Sequence, residues 1–96
     1  DMEELRNIAD LTCDKLEDGV VVLAAVNGDK INLVVKAAKG AVARGIHAGK
    51  IIKEAAKAIG GGGGGRPDMA QAGGRQPEKL PLAFEKAREV AESQLG

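Results

Sequence analysis

His47-Ala48-Gly49-Lys50-Ile51-Ile52-Lys53-Glu54-Ala55-Ala56-Lys57-Ala58-Ile59 runs straight into six glycines, Gly60 to Gly65, and then into Arg66-Pro67-Asp68-Met69-Ala70-Gln71-Ala72-Gly73-Gly74. In the first part Ala48, Ile51, Ile52, Ala55, Ala56 and Ile59 recur at helical spacing, while Lys50, Lys53 and Lys57 recur on another face. That pattern predicts a helix over 47–59 with one side for packing and one presenting ammonium groups. The six glycines, taken alone, have the composition of a flexible linker. Their context argues for more, because a strong helix delivers the chain into them and Arg66-Pro67-Asp68-Met69 leads toward a compact segment. Glycine lets backbone approach a ligand closely and lets successive N–H groups converge on an anion. The run therefore reads as a loop facing phosphate or ribose, in which a side chain at Gly63 should harm binding more than folding. Met69 to Ala72 is short enough for a strand or an extended loop.

The rest of the chain is organised around this centre. Residues 2–17 carry Met2, Leu5, Ile8 or Ala9, Leu11 or Thr12 and Leu16 near helical spacing, and Gly19 is expected to stop that helix. Val20 to Val26 and Ile31 to Val35 are β-type runs joined by Asn27-Gly28-Asp29-Lys30, a strong hairpin signal because Asn and Gly both tolerate φ > 0. Residues 36–45 are ambiguous and read as a short helix broken at Gly40. Residues 76–95 read as a last amphipathic helix through Leu80, Phe84, Ala87, Val90 or Ala91, and Leu95; Pro77 and Pro81 restrict where it begins. The expected fold class is α/β: a small mixed sheet, made of the hairpin plus a short strand after the glycine loop, packed with helices and preceded by an N-terminal helix.

Composition narrows the chemistry. Phe84 is the sole aromatic residue, with no Trp or Tyr, so the core must be aliphatic and stacking on unpaired bases has almost no side chains to use. Cys13 stands alone, which excludes a disulfide framework and a CxxC metal pair. The formal charge is zero, yet residues 1–18 carry seven acids against Arg6 and Lys15. Residues 30–57 carry seven bases (Lys30, Lys36, Lys39, Arg44, Lys50, Lys53, Lys57) against Glu54. A basic middle inside a neutral chain points to a local polyanion site.

Several readings are excluded or set aside. The glycine run follows a helix rather than preceding one and lacks Gly-Lys-Ser, so it is not a P-loop. Gly40-Ala41-Val42-Ala43-Arg44-Gly45 has Walker spacing, but Ile46-His47 replaces the required Lys-Ser. His47, the single histidine, is expected at a helix start or in packing rather than on a metal. Cys13 is expected as filler and Met69 as a core plug. No Ser-His-Asp or Cys-His set is present, so no catalytic residue is assigned. Without a membrane-length apolar run or a signal-like segment, a soluble, cytoplasmic protein is expected.

The string HAGKIIKEAAKAIGGGGGGRPDMAQAGG closely resembles the DHH-associated domain family, in the form carried at the C-terminus of alanyl-tRNA synthetases (C-Ala). VVVLAAVNGDKINLVV before it and Pro77-Glu78-Lys79-Leu80 after it fit the same pattern. The resemblance covers residues 18–95, and Pro81 is unusual within it. It implies a helical connecting segment over 1–18 and a globular domain over 19–96. It further implies a non-catalytic tRNA-binding module that docks on the tRNA elbow and supports both alanylation and editing of mischarged tRNA. The implied partners are tRNA and the other domains of the same synthetase, with a homodimer in some members and no membrane. No cofactor belongs to this segment; the ATP, magnesium and zinc of such a ligase are held by other domains. Residue by residue, Gly62, Gly63, Gly64 and Gly65 would offer backbone amides and Arg66 a guanidinium. Gln71 would offer an amide to a base or ribose edge, and Lys50, Lys53 and Lys57 would hold the phosphate backbone. The alternatives are the nucleic-acid-binding domain of a DHH-type phosphodiesterase and a purely dimerising domain.

Overall fold

The computed structural model describes residues 2–16 and 18–95. Helix α1 (Met2–Cys13) is followed by strands β1 (Val20–Asn27) and β2 (Lys30–Ala37), then helices α2 (Lys39–Ala43) and α3 (Ala48–Ala58). Strands β3 (Gly62–Gly65) and β4 (Met69–Gly74), a 3₁₀ turn over Pro77–Lys79 and helix α4 (Leu80–Leu95) complete the chain. The four strands form one sheet in the order β1-β2-β4-β3.

Two hairpins build this sheet. The first turns at Gly28 and Asp29, with Gly28 at φ +65° supplying the left-handed backbone that the tight turn needs. The second turns at Pro67 and Asp68, closed by the Arg66 amide donating to the Met69 carbonyl at 2.8 Å. The seam between them pairs β2 with β4, Ile31 opposite Gly74 through Lys36 opposite Met69. The α/β class is the expected one. The sheet differs in detail: its fourth strand is the glycine run itself, and every pairing is antiparallel rather than mixed. A run of glycines has no side-chain pattern from which a strand can be read, so by sequence alone it reads as a loop.

Alternation along β2 divides the sheet into two faces. Ile31, Leu33 and Val35 join Ile51, Ile52, Ala55, Ala56 and Ile59 of the α3 segment, Ala70 and Ala72 of β4, and Ala83 and Ala87 of α4 in the main core. On the opposite face Val34 packs with Leu5 and Ala9 of α1. Helix α3 lies on the sheet and α4 lies on α3, so the layers run α1, sheet, α3, α4. The largest fully buried side chains are Ile31, Leu33, Ile51, Ile52, Ile59, Val34 and Val35, an aliphatic core as the composition required. Each such burial stabilises the fold by about 1.5–3 kcal/mol.

Several boundaries move. Helix α1 ends at Cys13, well before Gly19, and Gly19 instead sits at φ +132° at the entry to β1. Gly40 does not break the short helix: α2 runs through it and ends before Gly45, at φ +111°. Pro81 falls in the first turn of α4, where a missing N–H leaves no intrahelical bond unmade. Met69 is half-buried and packs against the smaller core beneath α1.

Candidate nucleic-acid interface

His47 begins the candidate site by fixing where α3 starts. Its Nδ1 accepts the Lys50 amide at 3.2 Å, a side-chain cap on one of the helix's orphan donors. Gln94 of α4 holds the same residue from the other side, its Oε1 accepting the His47 amide at 2.9 Å and its Nε2 donating to the His47 carbonyl at 3.2 Å. The next two amides of α3 are taken by the second hairpin: Ala48 donates to the Pro67 carbonyl and Gly49 to the Arg66 carbonyl. Helix α3 and the glycine strand are thus tied at both ends, since the Gly61 amide donates to the Ala56 carbonyl at 2.9 Å.

The glycines of β3 fall into two classes by side. A β-carbon at Gly63 would stand 2.5 Å from the Ala72 β-carbon, and one at Gly65 would stand 2.6 Å from the Ala70 α-carbon. Both positions lie on the face under α3 and admit no side chain. Gly49 is matched to them, because a β-carbon there would lie 2.6 Å from the Gly65 carbonyl oxygen. Gly62 and Gly64 point the other way, where a β-carbon would find nothing within 4 Å. Neither adopts a positive φ. Packing therefore demands glycine at 63 and 65, while neither packing nor backbone conformation demands it at 62 and 64.

Hydrogen bonding divides the same four residues. Because the pair Arg66–Met69 is hydrogen-bonded, ladder alternation commits the amides of Gly62 and Gly64 to β4. The amides of Gly63 and Gly65 then turn toward the unpaired edge, since β3 is the last strand of the sheet. All four glycines are exposed. Of the four amides expected to face a ligand, two are available at the edge and two are held in the sheet.

The lysine stripe borders this edge. Gly49 faces Gly65, and at about 100° per residue Lys53 and Lys57 follow Gly49 round the helix by about 40° and 80°, with Lys50 about 100° away. All three are exposed. They are not electrostatically equal. Lys57 is paired with Glu54 at 2.9 Å, and that contact holds the Glu54 carboxyl below its ordinary range, chiefly through the hydrogen bond from Lys57. Arg66, at the hairpin turn, is paired with Asp68 at 3.5 Å. Lys36 is paired with Asp10 at 3.3 Å, and Arg44 with Asp18. The acidic start of the chain thus neutralises part of its basic middle. Among the described residues, Lys50 and Lys53 remain without an ion pair beside β3.

Gln71 is exposed on β4, directly opposite Gly64 in the ladder and on the outer face. The edge strand therefore separates two groups of the expected site residues, with Gln71, Gly62 and Gly64 on one side and the lysines on the other. One extended ligand bending round the edge could meet both, whereas one phosphate could not. A hollow of about 300 Å³ with no local signature lies at the end of the sheet, lined by Lys30, Arg75, Gly60, Gly61 and Gly73. These residues are distant in sequence and are joined by the β2–β4 register.

Cys13 is buried, and burial pushes its thiol up from the ordinary value, with Lys36 acting in the opposite sense. That environment suits the filler role and not a nucleophile. Among the described residues, no helix is long and apolar enough to cross a membrane.

With this geometry in place, comparison with known proteins is informative. The DHHA1 domain family matches residues 1–93. The chain is 61% identical over 95 residues to alanine–tRNA ligase of Acetivibrio thermocellus, and 50% identical over 95 residues to that of Bacillus subtilis. Each alignment takes in 99% of this chain and 11% of the relative, so the chain spans about a tenth of the length of those ligases. Among solved structures, the C-Ala domain from Aquifex aeolicus alanyl-tRNA synthetase superposes with a TM-score of 0.85 at 40% identity, covering 100% of this chain and 83% of that one. The spread of the match over helix, hairpins and glycine strand alike leaves one conclusion: the chain belongs to the DHHA1 family and is of the C-Ala type found in alanyl-tRNA synthetases.

Proposed function

We propose that this domain binds tRNA as a non-catalytic part of an alanine–tRNA ligase, docking on the tRNA elbow and supporting alanylation and editing in the cytoplasm. The observation that carries this reading is the division of the glycine strand. The fold needs Gly63 and Gly65, but Gly62 and Gly64 leave an open, side-chain-free surface beside Gln71. A surface kept bare where nothing within the protein requires it suits a ligand that lies close against backbone. The adjoining edge amides and the unpaired Lys50 and Lys53 suit a polyanion. With Phe84 as the sole aromatic residue, reading of shape and phosphate backbone is favoured over base stacking. ATP, magnesium and zinc would act in other domains of the parent.

Titration of the 96-residue chain with transcribed tRNA, duplex RNA and single-stranded DNA at two salt concentrations tests the reading. The expected result is preferential tRNA binding that weakens with salt; no tRNA binding at low salt would sink it. A second reading, protein association, is favoured by α1, where Ile8 is 51% and Leu11 67% exposed. Sedimentation of the free chain separates the two, since self-association without RNA binding would favour a dimerising domain.

A further inference from the structure

We propose that the hollow at the end of the sheet, between Lys30 and Arg75, is a second seat for a backbone phosphodiester of the bound RNA. The proposal rests on the tRNA-binding reading and extends it to residues outside the glycine strand and the lysine stripe.

The hollow encloses about 300 Å³, with Gly60, Gly61 and Gly73 along its walls and Asn32 beside Lys30. None of its lining residues is acidic. The β2–β4 register closes with Ile31 opposite Gly74, so Lys30, the first residue of β2, and Arg75, just past the end of β4, lie beside that last pair. Two cations lining one hollow with no acid among its walls favour an anion between them. Among the described residues neither cation takes part in an ion pair, although Lys36, Arg44, Lys57, Arg66, Lys86 and Arg88 all do. Arg75 is also anchored, its amide donating to the Ile59 carbonyl at 3.0 Å. The backbone of this cation is fixed at the rim while its side chain stays uncommitted.

Gly73 supplies an independent observation. A β-carbon there would meet only the Ile31 carbonyl oxygen, at an ordinary 3.8 Å, and its φ is not positive. The fold does not require glycine at this place, but a methyl group would narrow the hollow. Gly73 also pairs with Gly62 and shares the outer face with Gln71. The bare surface of β3 and β4 therefore runs on into the hollow, and one RNA backbone lying along it would bring a phosphate between the two cations. An arginine beside a compact ammonium suits a phosphodiester, the first for directional hydrogen bonds and the second as a point charge.

The test compares the chain with its Lys30→Gln/Arg75→Gln double variant and with Gly73→Ala, in titrations with labelled transcribed tRNA at two salt concentrations. Amide NMR spectra of each protein, recorded with tRNA and separately with inorganic phosphate, complete it. The double variant should lose roughly tenfold in affinity at low salt and its salt slope should flatten by about 0.7–0.9, one phosphate's worth. Gly73→Ala should keep its thermal midpoint yet bind tRNA more weakly, and tRNA should shift the Gly73 and Arg75 amides of the unaltered chain. Unchanged affinity and slope in the double variant, with tRNA binding intact, would overturn the seat and leave the domain's function standing. Shifts from inorganic phosphate that tRNA does not reproduce would assign the hollow to a free anion and overturn it as an RNA contact. A chain that binds no tRNA at all would remove the proposed function and this seat together.

Discussion

Gly64 stands opposite Gln71 across the β3–β4 ladder with open space above its α-carbon, while Gly63, one residue away, stands opposite Ala72 with no room for a methyl group. The two neighbours are chemically identical and should respond to substitution in opposite ways. Gly64→Ala should hold or raise stability by up to about 1 kcal/mol, because it restricts the unfolded chain without strain in the folded one. It should at the same time weaken tRNA binding. Gly63→Ala should cost about 1–3 kcal/mol by overpacking. Urea denaturation and RNA titration of the two variants make the comparison, and equal behaviour would refute the division of the strand. The expectation that a side chain at Gly63 harms binding more than folding is corrected by this geometry.

Glu54 restrains the lysine stripe. Removing its charge with Glu54→Gln releases Lys57 and should raise affinity for tRNA, steepening the salt slope by about 0.7–0.9 if Lys57 then reaches one phosphate. A slope no steeper than that of the unaltered chain would mean that Lys57 lies outside the footprint. The pairing holds the Glu54 carboxyl low, so it persists down to pH values below the ordinary carboxylate range and is lost as pH falls through the folded value. Both partners are exposed, so this loss should barely register in stability.

Gln94 fastens the end of α4 to the start of α3 through two hydrogen bonds on the His47 backbone. Gln94→Ala should lower stability by about 1–3 kcal/mol, from two bonds of about 0.5–1.5 kcal/mol each. His47→Ala, which removes the cap on the Lys50 amide, should cost about 0.5–2 kcal/mol. Thermal denaturation checks both, and a midpoint unmoved by either would mean that the junction contributes nothing.

Cys13 should resist alkylation in the folded chain, with its modification rate rising together with the unfolded fraction across a urea series. Its pKa is raised, so the folded state holds the thiol proton more tightly than the unfolded state does. The associated stability is present in full below the ordinary thiol value of about 8.5 and declines as pH rises through the higher folded value. Rapid labelling without denaturant would show that α1 lifts off the sheet.

The parts of this fold legible in the sequence are those where side chains alternate or recur. The stripe Ala48, Ile51, Ile52, Ala55, Ala56 and Ile59 announced α3, and Asn27-Gly28 announced the first hairpin. The Met69 to Ala72 segment was readable as a short strand, and the family could be recognised from the glycine string and its flanks. What could not be read depended on partners distant in sequence. Glycine carries no side-chain period, so β3 became visible only through its register with Gly73, Ala72, Gln71 and Ala70. Pairing of Lys57 and Arg66 with nearby acids, and of Lys36 and Arg44 with the acidic N-terminal segment, reduced a broad basic region to a few free cations. Lys30 and Arg75 carried no local signal, because only the β2–β4 pairing brings them together.

The strand order also bears on how the chain assembles. Each outer strand is joined to its inner neighbour by a two-residue turn, while the two inner strands are separated in sequence by α2, α3 and β3. The first hairpin carries α1 on its back, and the second is hydrogen-bonded to α3. The molecule is therefore two locally organised halves that meet along one ladder, Ile31–Lys36 against Met69–Gly74, and where α3 packs on β2. Local pairings close with little loss of chain entropy, so the halves are expected to organise before the seam does. A break between α2 and α3 would leave both halves intact. Fragments 1–44 and 45–96 should then recover native circular dichroism on mixing, and failure to do so would show that the seam cannot form without a continuous chain.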